Sequence, residues 1–149
     1  MYSLRPARET DQPRIRQMVR AARLNPSGLD WERFVVAEAE KGEIVGCGQV
    51  KRHRDGSAEL ASLVTKPGWR GHGVARAIIA HFQGAYTPPL YLMCLSSMRA
   101  FYERFGFRVL GVEATPRYFR RVMRLGKAFA RFLPDGEFLL VMVWNPHRD

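Results

Sequence analysis

The stretch TKPGWRGHGVARAIIAHF, residues 65–82, decides how the rest of the sequence is interpreted. It starts where an apolar, strand-like segment ends, and it continues into a helical pattern that we expect to open near Arg70. Gly71 and Gly73 stand at that opening, although a glycine inside a helix costs roughly 1 kcal/mol relative to alanine. Either the turn needs their backbone conformation, or another molecule must approach the main chain closely.

The predicted strand–loop–helix unit is suited to bind an anion. The first N–H groups of a helix have no partner within the helix, and the helix dipole favours negative charge there. Gly71 and Gly73 lack the Cβ atoms that would keep a phosphate away, and Arg70 adds a cation. A P-loop is excluded because Gly-Lys-Ser/Thr is missing, and the dinucleotide fingerprint fails because Arg76 stands where it needs glycine.

Length and composition predict one ordinary globular domain over residues 1–149. The two cysteines, Cys47 and Cys94, are far apart and lie in apolar segments, so we predict reduced, buried thiols and no metal site. The polar N-terminus has no apolar core of a signal peptide, which favours a cytoplasmic protein. The formal charge of +10 suits an anionic ligand, nucleic acid or an acidic membrane surface, and does not choose among them.

Hydrophobic periodicity predicts a mixed α/β (α+β) protein: a meander of strands, then a βαβα segment and a last strand. The predicted strands are 2–6, 34–39, 43–50, 58–65, 89–95, 107–112 and 137–144. The predicted helices are 10–24, the one that opens near Arg70, 97–105 and the basic stretch 116–132.

Two motifs resemble the GNAT acetyltransferase superfamily. The segment PGWRGHGVA, residues 67–75, is similar to its pyrophosphate loop, and FYERFGF, residues 101–107, is similar to the end of its fourth helix. The resemblance implies a mixed, mostly antiparallel central sheet with helices on both faces. It also implies acetyl-CoA as co-substrate, direct transfer of the acetyl group to a primary amine without an acyl-cysteine intermediate, and, as in many members, a homodimer.

The resemblance also assigns site residues. The strand before the loop splays near a bulge in the family, so Leu63, Val64 and Thr65 are expected to contact the acetyl and pantetheine groups through their main chain. The loop residues expected to bind the coenzyme are Arg70, Gly71, His72, Gly73, Val74 and Ala75.

Two side chains are candidates for proton transfer. Tyr102 matches the family tyrosine that acts as general acid, although its spacing also fits a core aromatic residue. Glu59 stands where several members keep a catalytic glutamate, acting directly or through water. The alternative for Glu59 is an exposed strand residue that pairs with an arginine.

The acceptor site is less defined. Asp30 and Trp31 are candidate acceptor contacts, with a helix cap and a core aromatic as the alternatives. Where the family often has an asparagine that contacts the coenzyme, Ser96 or Ser97 substitutes for it or caps the helix. The segment 91–107 also resembles the N-acetylglutamate-synthase-like branch, which favours an amino acid or another small molecule as acceptor.

The basic stretch 116–132 has three interpretations: a solvated face, a site for acidic groups, or a helix that binds a membrane or nucleic acid. The alternative function is a non-catalytic module that binds coenzyme A or nucleic acid through this basic helix.

Overall fold

The computed structural model describes residues 1–128 and 132–147. The strands are β1 (Tyr2–Pro6), β2 (Phe34–Ala39), β3 (Ile44–Arg52), β4 (Ala58–Thr65), β5 (Leu90–Leu95), β6 (Phe107–Val109) and β7 (Leu139–Trp144). The helices of the described residues are α1 (Gln12–Ala21), α2 (Val74–Ala85), α3 (Arg99–Glu103) and α4 (Arg117–Ala128).

The strands form one sheet in the order β1-β2-β3-β4-β5-β7-β6. β1 pairs antiparallel with β2, β2 with β3, and β7 with both β5 and β6, whereas β4 and β5 are parallel at Glu59 and Tyr91. This confirms the predicted mixed, mostly antiparallel sheet. The chain divides into two compact units, Met1–Lys51 with Leu60–Ala85, and Arg52–Glu59 with Tyr86–Asp149. The single domain over residues 1–149 stays a prediction.

In the first unit, β3 separates two helices because its side chains alternate between the faces of the sheet. A Cβ atom on Gly46 would come within 2.4 Å of Val74, and one on Gly48 within 2.9 Å of Ile78, so α2 packs directly on this face. Cys47 points the other way, into a buried cluster that includes Ile15 of α1. Helices therefore cover both faces of the sheet in this unit.

The second unit is built on β5 and β7, which pair over their whole lengths. Leu92 and Met142 lie opposite each other in this register, and both are buried. Phe119 of α4 is buried as well. Asp55 fixes the start of α4, because its Oδ2 atom accepts a hydrogen bond of 2.9 Å from the backbone N–H of Tyr118.

Several predicted boundaries are wrong. α2 begins at Val74 and not near Arg70, because Gly71 and Gly73 have positive φ and cannot belong to a right-handed helix. The strand predicted at 107–112 ends at Val109, where its pairing with β7 ends. Of the basic stretch 116–132, residues 117–128 form α4, whereas Phe129 and Arg131 lie outside the described residues.

The helical spacing of the sequence predicts two buried stripes: Ile15, Met18, Val19 and Ala22 in the first helix, and Val74, Ala77, Ile78, His81 and Phe82 in the second. In the structure each stripe differs from this prediction by one residue. Ala22 follows the end of α1 and is exposed, whereas Ile15, Met18 and Val19 are buried as predicted. In α2, Ile79 is buried where the sequence pattern favoured His81, which is exposed. The later start of α2 does not change this face, since Val74, Ile78 and Phe82 still point into the core.

Asp11 offers a test of how the first unit is held together. Its buried carboxylate accepts hydrogen bonds of 2.8 and 3.1 Å from Arg5 and one of 2.7 Å from the N–H of Arg8. We expect Asp11→Asn to lower the free energy of unfolding at pH 7 by about 2 kcal/mol, because the partly buried Arg5 guanidinium loses one of its two carboxylate partners and keeps only Glu38, at 2.9 Å. Urea unfolding measures this difference.

The pH dependence of that difference has a defined sign. Hydrogen bonding from Arg5 lowers the pKa of Asp11 in the folded state below its usual value of about 4. The contribution of the carboxylate is therefore fully present above about pH 5 and is lost as the pH falls through the folded pKa. Glu103→Gln is the control, since this exposed pair with Arg99 contributes only about 0.5 kcal/mol. Equal stability of wild type and Asp11→Asn at pH 7 would contradict the prediction.

Candidate active site

The turn between β4 and α2 is shaped by glycine. The N–H of Lys66 donates a 2.8 Å hydrogen bond to the carbonyl of Val45, which fixes the end of β4 against β3. A short 3₁₀ turn, Pro67–Trp69, follows, and then Gly71 and Gly73 adopt φ values of +83° and +79°. Side-chain-bearing residues rarely adopt such values, so this backbone path requires the two glycines.

The same glycines leave open space in front of the turn. A Cβ atom on Gly71 would meet no atom of the described residues within 4 Å, and one on Gly73 would meet only the Tyr2 hydroxyl, at 3.6 Å. This open space adjoins the first turn of α2, whose N–H groups have no helical partner. Arg70 and His72 are exposed beside it. The main chain here can therefore receive a bulky anion, as a pyrophosphate-binding loop must.

Tyr2 contacts this loop at two residues, His72 and Trp69. Its hydroxyl donates a 3.3 Å hydrogen bond to the carbonyl of His72, and its ring lies edge-on to Trp69 with centroids 6.1 Å apart. Tyr2 was not among the predicted site residues, because an aromatic residue in a first strand carries no signal of a contact 70 positions later.

The predicted acyl-binding segment follows an irregularity in β4. Ser62 has a φ of +55° inside the strand, and Ala61, Ser62 and Leu63 are all half-buried where a regular strand would alternate. We call this the Ser62 kink. Past it, Val64 is buried in the core, whereas Leu63 and Thr65 are half-buried. A kink of this kind redirects the main chain of residues 63–65.

Val74 and Ala75 complete the predicted cofactor set. Val74 is buried against Gly46, so its side chain belongs to the core and only its main chain is available to a ligand. Ala75 is half-buried.

Glu59 pairs with a histidine. Its Oε1 atom lies 2.8 Å from Nε2 of His53, and the two side chains are only 12% and 11% exposed. The His53 ring stacks on Tyr118 at 3.4 Å between centroids, with an interplanar angle of 11°. The alternative interpretation of Glu59, an exposed residue paired with an arginine, is therefore wrong. A carboxylate held against an imidazole can accept and pass on a proton.

Tyr102 is half-buried among aromatic rings. Phe101 and Phe107 lie edge-on to it, at centroid distances of 5.1 and 6.0 Å. Burial raises the pKa of its phenol above the ordinary value, and the nearby Cys94 adds to the rise. The hydroxyl consequently keeps its proton throughout the neutral range.

Cys94 also remains protonated. Burial raises the pKa of its thiol to about 11, and the charge of Glu137 acts in the same direction. A thiol with this pKa is a poor nucleophile at neutral pH, because the thiolate is the reactive form.

Ser96 and Ser97 are engaged by Glu137. The Ser96 hydroxyl and the Ser97 N–H each donate a 3.1 Å hydrogen bond to Oε2 of Glu137. Ser96 Oγ in turn accepts from the N–H of Phe138 at 3.1 Å. These contacts join the end of β5 to the segment before β7. The capping interpretation of the two serines is wrong, because Leu95 and Met98 hold the N-cap positions of the 3₁₀ turn 96–98 and of α3, and neither helix start has a side-chain cap.

Asp30 and Trp31 line a cavity of about 600 Å³. Gln12 of α1 holds the segment in place: its amide oxygen accepts a 2.9 Å hydrogen bond from the Trp31 N–H, and its amide nitrogen donates to the carbonyl of Leu29. Trp31 also packs against the core, which supports its alternative interpretation as a core aromatic. The other residues that line the cavity are Glu9, Gln12, Pro13 and Glu32.

The predicted site residues fall in both units. Glu59 and Tyr102 belong to the second unit, whereas the predicted cofactor and acceptor residues belong to the first. Within the first unit, the cofactor residues form one continuous strand–turn–helix segment, and Asp30 and Trp31 line a cavity formed with α1.

The basic helix exposes its cations. Arg117, Arg120, Arg121, Arg124 and Lys127 all lie on the solvent side of α4. Among the described residues, no helix is both long and apolar enough to span a membrane.

Comparisons with solved structures show the fold. N-acetylglutamate synthase from Neisseria gonorrhoeae, complexed with coenzyme A and N-acetyl-glutamate, is 20% identical with a TM-score of 0.79, over 99% of this chain and 36% of that one. The chain thus spans about a third of this synthase. Rv2747 from Mycobacterium tuberculosis, in complex with CoA, is 23% identical with a TM-score of 0.69, over 95% of this chain and 98% of that one. A Staphylococcus aureus acetyltransferase of the GNAT family is 13% identical with a TM-score of 0.69, over 97% and 99%.

No curated protein matches the sequence closely enough to be a relative. The family model described as acetyltransferase (GNAT) domain, however, matches residues 30–109, which is more than half of the chain. The match includes β4, the glycine turn and α2, as well as α3 with Tyr102. The family and the structural motif therefore agree at the same residues, and the chain belongs to the GNAT acetyltransferase family.

Proposed function

We propose that this protein is an N-acetyltransferase that moves the acetyl group of acetyl-CoA directly to a primary amine of a small molecule. The observation that carries the proposal is the glycine turn, with its positive φ values and open front, leading into the start of α2. The similar structures from N. gonorrhoeae and M. tuberculosis, both complexed with coenzyme A, support acetyl-CoA as the co-substrate.

In this proposal the first unit binds the coenzyme. The main-chain N–H groups of residues 70–75 receive the pyrophosphate, and Arg70 adds a positive charge. Beyond the Ser62 kink, the main chain of Leu63, Val64 and Thr65 binds the acyl arm and offers an N–H to the carbonyl oxygen. A fixed N–H at that oxygen stabilises the charge that develops during transfer.

Glu59 is the proposed general base. An alkyl ammonium has a pKa near 10, so most of the acceptor is protonated at neutral pH and must lose a proton before it attacks. The carboxylate of Glu59 takes this proton directly or through water. Its 2.8 Å contact with His53 supports the role, since the imidazole can relay the proton onward.

Tyr102 is the proposed hydrogen-bond donor to the leaving group. Acetyl-CoA supplies the acetyl group as a thioester and leaves as a thiolate. The pKa of Tyr102 is raised, so its hydroxyl is protonated when charge develops on sulfur. Full proton transfer to a thiolate with a pKa near 8.5 is uphill from such a phenol. Tyr102 therefore acts mainly by donating a hydrogen bond.

The state of Cys94 supports direct transfer. Its thiol has a pKa of about 11, so it offers almost no thiolate to form an acyl-enzyme at neutral pH. The amine then attacks the thioester without a covalent enzyme intermediate.

The acceptor is proposed to enter the cavity lined by Asp30 and Trp31. Three carboxylates surround that cavity, from Glu9, Asp30 and Glu32, and they suit an ammonium group. They oppose an acidic acceptor in this cavity, although N-acetylglutamate synthase is among the similar structures. The homodimer and the cytoplasmic location stay predictions.

Arg70→Glu tests the proposal against the non-catalytic alternative. We expect the variant to bind coenzyme A about tenfold more weakly in calorimetry, because a repulsive charge replaces a cation beside the pyrophosphate. Arg124→Glu is the matched control, since Arg124 is an exposed cation on α4, and it should bind as the wild type does. Release of coenzyme A is followed with a thiol-reactive dye across amino acids, polyamines, aminoglycosides and peptides.

The opposite pattern would support a nucleic-acid module. In that case the wild type binds DNA with a steep salt dependence, Arg124→Glu weakens this binding, and no affinity for coenzyme A is found.

A further inference from the structure

The residue of interest is Gln49, a fully buried polar side chain that the proposed mechanism does not use. It lies in β3 on the face opposite Gly48, which packs on Ile78 of α2. Its neighbour on the same face, Cys47, belongs to the apolar core. A buried amide in such surroundings is tolerated only where its polar atoms are satisfied.

Three hydrogen bonds satisfy this amide. The nitrogen donates to the carbonyl of Gly28 at 3.0 Å and to the hydroxyl of Ser62 at 2.9 Å. The oxygen accepts from Nε of Arg33 at 3.1 Å. The Arg33 guanidinium can only donate and the Gly28 carbonyl can only accept. These partners therefore fix the positions of the oxygen and the nitrogen of the Gln49 amide.

One arm of the network reaches the Ser62 kink. Ser62 holds a positive φ without being glycine, a conformation that costs free energy and persists only where its surroundings enforce it. The bond from Gln49 holds the serine hydroxyl, and the Cys47 thiol donates to the Ser62 carbonyl at 3.6 Å. β3 thus stabilises the kink through hydrogen bonds to both the side chain and the main chain of Ser62.

The other arm reaches the segment that carries Asp30. The carbonyl of Gly28 accepts from Gln49 and also from Arg33, at 2.9 Å. Arg33 pairs in addition with Asp30 at 3.1 Å. One buried amide therefore connects the segment of the predicted acceptor contact to Ser62 of β4, which directly precedes the predicted acyl-binding residues 63–65 in the same strand.

We propose that Gln49 is a positioning residue for acyl transfer: it holds the Ser62 kink and the 28–33 segment so that residues 63–65 present their main chain to the thioester. The inference rests on the proposed function and adds to it a residue that does not touch the substrates. It assigns a reason for a glutamine in the centre of an otherwise apolar strand.

The test compares Gln49→Met with the wild type, using acetyl-CoA and the most reactive amine of the panel. Methionine keeps the length of the side chain but cannot bond Ser62, Gly28 or Arg33. Rates are expressed per coenzyme-binding site, taken from the stoichiometry of a coenzyme A titration, so that unfolded protein does not count. We expect kcat to fall about tenfold, while KM for acetyl-CoA changes less than about twofold.

Ser62→Ala provides a second route to the same answer and keeps the test valid if Gln49→Met folds poorly. It should lower kcat in the same direction, and the double variant should be no slower than Gln49→Met, since both residues act through one hydrogen bond. Thr115→Val is the control for lost stability, because the buried Thr115 hydroxyl bonds the Gly111 carbonyl, which lies in the second unit. It should leave kcat per site unchanged.

Two results would overturn the inference. One is an unchanged kcat per site in both Gln49→Met and Ser62→Ala. The other is additive losses in the double variant, which would mean that the two residues act separately. A wild type that binds no coenzyme A would instead overturn the proposed function itself, and the inference with it.

Discussion

Gly73→Val should weaken the binding of coenzyme A at least 100-fold. The reason is twofold. A β-branched residue strongly resists the φ of +79° that Gly73 adopts, so the turn must change its path. The added side chain would also project into the open space before α2, where the pyrophosphate is proposed to bind. Isothermal titration with coenzyme A measures the loss, which corresponds to about 2.7 kcal/mol or more.

Gly56→Val is the matched control for this substitution. Gly56 has a φ of +87°, and a Cβ atom there would meet no atom of the described residues within 4 Å. The two variants therefore introduce the same side chain at similar positive φ values, and their costs in stability should be similar. If Gly56→Val weakens coenzyme binding as much as Gly73→Val, the effect reflects lost stability and not a lost site.

The glycine turn also shows how far the sequence alone can lead. The two glycines before a helix predicted a phosphate-binding turn. The family match covers these residues, and their phosphate-binding role stays a prediction. The start of the helix was predicted four residues too early. The spacing of apolar residues does not distinguish right-handed helical backbone from the left-handed conformation that Gly71 and Gly73 adopt. Glycine has a low helix propensity, so two glycines at the predicted start of a helix were unexpected. In the structure both lie before the helix, where their positive φ values favour glycine.

What could not be predicted depends on contacts between distant segments. Tyr2 contacts His72 across 70 positions of sequence, and no local pattern indicates this contact. His53 meets Glu59 across the turn at residues 54–57, so this pair was within reach of the sequence. It was missed because only an arginine was considered as the partner of Glu59. Ser62 offered no signal, since a serine inside a strand does not indicate a positive φ.

Tyr102→Phe should reduce kcat about 100-fold and leave the KM for acetyl-CoA within about twofold of the wild type. Removal of one hydrogen-bond donor to a charge that develops in the transition state costs roughly 10²–10³-fold in kcat. The phenyl ring keeps its contacts with Phe101 and Phe107, so the fold should persist. Tyr91→Phe is the control, because Tyr91 is also half-buried against an aromatic residue, Phe119, yet has no proposed role in transfer.

The pH profile distinguishes this role from a packing role. Because burial raises the pKa of Tyr102 above its ordinary value of about 10, its hydroxyl stays protonated as the acceptor amine loses its proton. The wild-type rate should therefore rise with pH up to about 10 without a descending limb caused by Tyr102. The phenylalanine variant should show the same rising limb at a uniformly lower rate, since the base is untouched. A descending limb near pH 9 that disappears in Tyr102→Phe would contradict the raised pKa, and an unchanged kcat would exclude Tyr102 as the donor to sulfur.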